Sequence, residues 1–176
     1  DALNSRYTQT IINRAKSWKK ETFGETKTGP NIYLNCISTS ENKFYVGLEQ
    51  KMVVNAPLET VESVLDNIPD YQNLFPDYKE VKVLEKDENK WLTFWEQSIP
   101  LPFIPNEKLE IYYIFDKSSP SRKIYRYQLK KGKYAKFSDG FIVIESASSN
   151  TTLYYELDYV EADWGPLSVR KAWTES

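Results

Sequence analysis

The stretch VVNAPLETVESVLDNIPDYQNLFPDYKEVKVLEK, residues 53–86, runs from an apolar strand through Asn-Ala-Pro into a helix and then into a proline-broken aromatic corner. Just upstream, Val46, Leu48, Gln50 and Met52 alternate with Tyr45, Gly47, Glu49 and Lys51, the period-2 pattern of a half-buried strand. Asn55 is placed to cap a helix whose first turn takes Pro57. Leu58, Val61, Val64 and Leu65 share one side of that helix, which ends near Asn67. Pro69 and Pro76 limit any continuous helix beyond it, because proline lacks an amide proton and restricts the residue before it. Tyr71, Leu74, Phe75 and Tyr78 make the corner bulky and apolar. Such a segment suits the closing of a cavity better than an active site.

Working outward, 176 residues fit one domain and suffice to bury a core without disulfide staples. Lys+Arg 23 nearly balances Asp+Glu 25, so no global charge recruits nucleic acid. The chain has no histidine and a single cysteine, Cys36, which removes the ordinary catalytic triads, Cys/His dyads and most zinc sites together. No metal, no cofactor and no catalytic residue is expected from this composition. Cys36 lies in the apolar run IYLNCI and reads as a small buried hydrophobe. No run reaches the roughly 20 apolar residues of a bilayer span. The first residue is Asp1, and export after removal of a signal peptide is the expectation attached to that start.

Residues 1–29 read as an N-terminal helix and linker, and residues 30–176 as the main domain. Leu3, Tyr7, Ile11, Ala15 and Trp18 fall at spacings of four and three, one face of an amphipathic helix with a basic flank. Beyond GETKTGP the pattern turns β-like through NIYLNCIS and KFYVGLEQKMVV. After the aromatic corner it continues as a meander of EVKVLEK, KWLTFWEQSI, KLEIYYIFD, KIYRYQLKK, GFIVIESAS and TTLYYELDYVEA. The connections DEN, PLPFIPNE, SSPSR and SSN are short or turn-rich, which favours antiparallel neighbours. Pro166 marks the start of a final helix with Leu167, Ala172 and Trp173 available to pack. The expected fold is α+β: a curved antiparallel sheet of about six to seven strands, a short helix pair, a C-terminal helix and an extra N-terminal helix.

These quoted elements carry a resemblance. MVVNAP, LETVESVLDN and IPDYQNLFPDYKEVKVLEK together resemble the entrance to the START-like (SRPBCC, Bet v 1-like) superfamily, in particular its polyketide cyclase and coenzyme Q-binding protein branch. GFIVIESASSNTTLYYELDYVEADWGP is similar to that superfamily's last two strands before its final helix, and the likeness covers about residues 44–173. What it implies is a helix-grip fold over an apolar cavity that holds lipids, isoprenoids or polyketides. Two departures accompany it. Histidines used by some members are absent, and about ten residues follow Pro166 where the family has a longer helix. A cavity built that way is left partly open unless the chain is truncated or the N-terminal helix supplies the missing wall.

The inward faces expected from alternation are Leu109, Ile111, Tyr113 and Phe115, then Tyr125, Tyr127 and Leu129, then Leu153, Tyr155, Leu157 and Tyr159. Glu110, Arg126, Glu156 and Asp158 are expected on the other side. Trp95 and Trp173 complete the candidate cavity lining of Ile111, Tyr113, Phe115, Tyr125, Tyr127, Tyr155, Leu157 and Tyr159. A solid core explains the same pattern. Thirteen tyrosines against eight phenylalanines tip it toward a wet-edged pocket, because a buried hydroxyl needs a partner. Leu101, Phe103 and Ile104 in IPLPFIPNE form an apolar loop suited to an entrance or to a transient membrane-surface contact, or else to packing over the domain's end. Glu96, Glu110 and Arg126 are a further polar group that a sheet can bring together, and KKGKYAK is a local basic cluster. Three readings follow: a non-enzymatic binder of a hydrophobic small molecule such as a lipid or isoprenoid, a cyclase or aromatase-type enzyme, and a protein-interaction module with a filled core. Oligomeric state has no signature in the sequence.

Overall fold

The structure, a computed structural model, describes residues 25–29, 32–38, 43–99 and 103–163, with side chains described over 47–99 and 103–162. The expected N-terminal helix of residues 3–20, the final helix after Pro166 with Trp173, Leu101 and the Cys36 side chain lie outside the described residues.

Among the described residues nine strands form one antiparallel sheet. They are β1 (Glu25–Gly29), β2 (Ile32–Ser38), β3 (Lys43–Val54), β4 (Tyr78–Lys86), β5 (Lys90–Gln97), β6 (Glu107–Asp116), β7 (Arg122–Gly132), β8 (Ala135–Ser148) and β9 (Thr151–Asp163). Their spatial order is β1-β2-β3-β9-β8-β7-β6-β5-β4. The meander from β4 to β9 is therefore joined to β3 by its last strand, which places Lys43–Val54 beside Thr151–Asp163. Two more strands are present than the six to seven expected, because Glu25–Gly29, read as linker, and Ile32–Ser38 extend the β3 edge. Irregular registers at Tyr78/Glu80, Val83/Glu85, Glu110/Ile111, Ala135/Phe137 and Ser146/Ser148 give the sheet local kinks, the usual means of curving it.

Between β3 and β4 the chain forms α1 (Leu58–Asp66), a 3₁₀ turn (Ile68–Asp70) and α2 (Tyr71–Leu74). The helix starts later than expected. Pro57 occupies the cap position, and its carbonyl accepts the amides of Thr60 and Val61, so Asn55 sits upstream of the cap with no capping role. The end near Asn67 stands as read, with the Asn67 amide donating to the Val64 carbonyl. Leu58 is buried and Val61 and Leu65 pack on the core, whereas Val64 is exposed, because a nine-residue helix lying on a sheet buries only one narrow stripe.

The helices cover one face of the sheet, and the register identifies its residues. Opposed positions on neighbouring antiparallel strands share a face. Tyr113 opposes Tyr127, Tyr127 opposes Gly140, Gly140 opposes Asp158, and Asp158 opposes Leu48. The next row runs Phe115, Tyr125, Ile142, Glu156 and Gln50. The main core lies on this face: Leu58, Ile68, Val81, Trp91, Trp95, Phe115, Tyr125 and Ile144. A separate cluster of Phe141, Val143 and Tyr159 with Ile124, Phe137, Tyr155 and Leu157 occupies the back face.

Candidate functional site

The aromatic corner of the opening stretch is the near wall of the site. Phe75 meets Tyr71 and Tyr78 at 5.9 Å, and both tyrosines meet Trp95, at 5.7 and 5.1 Å. Trp95 stacks on Tyr113 at 6.1 Å, and Tyr113 lies 5.8 Å from Tyr127. A continuous aromatic path thus runs from the proline-broken corner across β5 and β6 to β7. Trp95 is fixed by its indole N–H, which donates to Thr93 Oγ1 at 2.7 Å. The Thr93 hydroxyl donates in turn to the Ile111 carbonyl at 2.9 Å.

The path ends at two carboxylates. Tyr127 donates to Glu156 Oε1 at 3.1 Å and Tyr154 donates to Glu156 Oε2 at 2.7 Å. Gly140 makes the first of these bonds possible. A Cβ there would lie 2.3 Å from the Tyr127 ring, so the ring crosses β8 over a bare backbone to reach β9. Asp158, two residues beyond Glu156 on the same face, accepts the Tyr159 amide at 2.7 Å through Oδ1. Desolvation pushes the Glu156 carboxyl above its usual range despite the two phenol donors. Asp158 is pushed up to about 7, by desolvation first and then by the neighbouring Glu156 charge. Burial likewise raises Tyr113, Tyr127 and Tyr71, and raises Tyr78 to about 12, so the phenols stay neutral hydrogen-bonding groups. Both carboxylates and Tyr71, Tyr78, Tyr113 and Tyr154 nevertheless retain accessible surface. Groups that are desolvated yet still touch accessible space stand on a partly covered face rather than inside a packed core.

Of the expected lining, Trp95, Ile111, Tyr113, Phe115, Tyr125 and Tyr127 do share the helix face. Tyr155, Leu157 and Tyr159 do not: they lie on the back face with Phe141 and Val143, and the helix face of β9 is Thr152, Tyr154, Glu156 and Asp158. Polarity chose the wrong side because both faces are apolar at β8, where Phe141, Ile142, Val143 and Ile144 run without a break. That unbroken run was the available signal, for it marks a strand covered on both sides. Phe115 and Tyr125 are also more deeply packed than a lining residue needs to be, against Trp91 and each other.

Glu96, Glu110 and Arg126 do not converge. Glu96 binds Asn106 at 2.7 Å and Lys108 at 3.3 Å, Glu110 pairs with Lys130 at 3.1 Å, and Arg126 lies on the back face opposite Phe141. The KKGKYAK cluster folds on itself, with Lys133 over the Tyr134 ring and the Tyr134 hydroxyl donating to the Pro105 carbonyl. In the apolar loop Ile104 packs with Ile99, Tyr134 and Ala162, while Phe103 is fully exposed with φ 68°.

Two polar clusters that sequence reading did not single out hold the frame. Lys117 reaches both Asp66 oxygens at 2.6 Å and Glu62 at 3.2 Å, and Tyr125 donates to Asp66 at 3.2 Å, which pins the end of α1 to the β6–β7 turn. Glu107, 2% exposed, accepts the backbone amides of Lys133, Tyr134 and Ala135 and so closes the β7–β8 turn. Glu107 is thus a structural carboxylate. Among the described residues no group of three metal-ligating side chains occurs, and no helix is long and apolar enough to cross a membrane.

No family model matches the sequence and no curated protein does. Solved structures do match. Human STARD10 superimposes with TM-score 0.63 at 13% identity over 96% of this chain and 72% of its own. The lipid transfer and protein localization domain of human StarD13 gives 0.62 at 13% over 94% and 87%. The Zhui aromatase/cyclase from a Streptomyces species gives 0.60 at 15% over 74% and 83%. With a curved antiparallel sheet carrying a helix pair on one face, and these superpositions along most of its length, the chain has the START-like, helix-grip α+β fold.

Proposed function

We propose that this protein binds a hydrophobic small molecule, of the lipid or isoprenoid kind, against the helix face of its sheet. The observation that carries the reading is the state of Tyr78 and Tyr113. Both phenols are raised by desolvation, both keep accessible surface, and neither hydroxyl has a hydrogen-bond partner among the described residues. The rings are packed against aromatic neighbours, but a solid core would also have paired their hydroxyls. Ile111, Leu129, Ile142 and Tyr154 surround the same space and are half-buried in the same way. Affinity would come from apolar burial, about 25 cal/mol per Å² before the costs of association. Two of the structural neighbours are lipid-transfer or START proteins by name, which supports this choice of ligand class.

The lining under this reading is Trp95, Ile111, Tyr113, Tyr127, Tyr154 and the Glu156–Asp158 pair, with Phe103 at an exposed loop tip suited to touching a membrane surface during exchange. Native mass spectrometry of the purified chain, with extraction of anything released, tests it. A stoichiometric lipid or isoprenoid is the expected result. A bare mass that persists after incubation with mixed lipids would favour a filled interior and an interaction role.

One observation favours a second reading. Asp158 sits near neutrality beside Glu156 in a desolvated site, which is the poise of a general acid or base, and a cyclase is among the structural neighbours. Loss of turnover on a polyketide-like substrate in Asp158→Asn, with ligand retention intact, would select the enzyme.

A further inference from the structure

Among the described residues, Glu156 and Asp158 have no counter-charge. Glu156 and Asp158 project from β9 onto the helix face, where β3 opposes them with Gln50 and Leu48 and β8 with Ile142 and Gly140. Among the described residues, the titratable groups turned toward them are phenols: Tyr125 and Tyr127 from β7, Tyr113 from β6, Tyr78 from β4, Tyr71 from α2 and Tyr154 from β9 itself. The face also carries Lys123, which donates to the Lys117 carbonyl, Lys86, which lies over the Trp91 ring, and Glu107, which is held by the amides of the β7–β8 turn. Asp66 of α1 is tied to Lys117 at the far end, and Asp139 acts through the sheet from the back, adding negative charge rather than removing it. The nearby cations are turned away. Lys51 pairs with Glu49 beside Tyr155, and Arg126 opposes Phe141, both on the back face.

The partners that Glu156 and Asp158 do have are neutral donors, and Tyr113 adds an unpartnered hydroxyl on the Asp158 row. Its ring and that of Tyr127 present two π-faces, 5.8 Å apart, to the same space. Adjacent carboxylates, aromatic faces and idle phenols are the complement of an organic monocation, which offers N–H donors and charge without demanding the many oxygen ligands of a divalent metal ion.

We propose that the bound molecule is an amphiphilic amine or ammonium compound, its cationic head held between Glu156 and Asp158 against Tyr113 and Tyr127, and its tail lying toward Ile111, Leu129 and Trp95. This rests on the hydrophobic-ligand reading above and goes beyond it by fixing the head-group charge. A cation binds the ionised carboxylates, so its binding releases their protons. Affinity therefore falls as pH drops through the range where Asp158 titrates, whereas a neutral head shows no such slope.

The test is competition against a bound environment-sensitive fluorophore by decylamine, decanol, decanoate and propylamine, at pH 5 and pH 8, using the full chain. Decylamine should win at pH 8 by tenfold or more over decanol, lose that margin at pH 5, and lose it at pH 8 in Glu156→Gln and Asp158→Asn. Both variants keep side-chain size, and thermal melting checks their folding; should either fail to fold, the wild-type pH slope decides. Equal displacement by all three ten-carbon ligands, a preference for decanoate, or a decylamine preference unchanged in the folded variants overturns the cationic head while leaving the hydrophobic pocket standing. Propylamine matching decylamine keeps the cation site and removes the tail. No displacement by any ligand overturns both.

Discussion

The two ends of the helix face are built from the same strands and behave oppositely. Toward the β8–β9 and β6–β7 turns, α1 and the 3₁₀ turn lie over Trp91, Phe115, Tyr125 and Ile144, and every one of them is buried. Two to four residues further along β6 and β7 stand Tyr113, Ile111 and Leu129, and on β9 stand Glu156 and Asp158, all half-buried. The packed end stabilises the fold by exclusion of water. The other end keeps carboxylates and phenols that remain partly accessible, at a cost in stability that the proposed ligand would offset.

Truncation should separate the ends most clearly. Ile144→Ala, in a fully packed environment, is expected to lower unfolding free energy by roughly 2–5 kcal/mol. Leu129→Ala should cost well under half as much, since its site is not closed around it; equal losses in urea titration would mean that no hollow exists. Gly140→Ala attacks the link between the ends. Its Cβ falls on the Tyr127 ring, so a loss of about 1–3 kcal/mol is expected, together with release of the Tyr127–Glu156 hydrogen bond visible as a downfield-to-upfield change in the tyrosine spectrum.

Asp158→Asn should act in the opposite direction. The folded chain holds the Asp158 proton to about pH 7 and the unfolded chain to about pH 4. The group's contribution is therefore fully present below pH 4 and is lost as pH rises through 7. The variant should be more stable than the parent by on the order of 1–3 kcal/mol at pH 8 and indistinguishable below pH 4. A variant that is less stable at pH 8 would show that the carboxylate is satisfied. Phe103→Ser is the smallest effect, within about 0.5 kcal/mol in stability because the ring is exposed. It should lower association with lipid vesicles while ligand affinity stays constant; unchanged vesicle association would remove the loop from the exchange step.

Much of the fold was legible from residues 53–86 and the meander after them, because prolines, turn residues and alternation act locally. The helix of LETVESVLDN, the aromatic corner and the strands β4 to β7 and β9 stand close to where the pattern put them, whereas β8 begins at Ala135, five residues before the GFIVIESAS run, in the stretch KKGKYAKFSDG that reads as a Gly/Lys-rich bend. Missed were β1, a short polar ETKTG strand with no apolar signal, and the later start of α1. The inner face was half legible. On β6 and β7 the aromatic side is the helix side, so Ile111, Tyr113 and Tyr127 lie on the face expected for them. On β9 the apolar residues face the back cluster, and Glu156 and Asp158 were assigned outward when they face in.

The sequence by itself determined the element order, the antiparallel connections, the absence of histidine chemistry and the stock of tyrosines. Only the tertiary structure decided which face of β9 is inner, because a strand's parity is set by its partners' register once both faces are apolar. It likewise decided that Gly140 lets Tyr127 cross to Glu156, and that Lys51 and Arg126 lie on the opposite face from those carboxylates. Charge pairing depends on three-dimensional neighbours, and an unpaired buried acid becomes visible only when all of its neighbours are known.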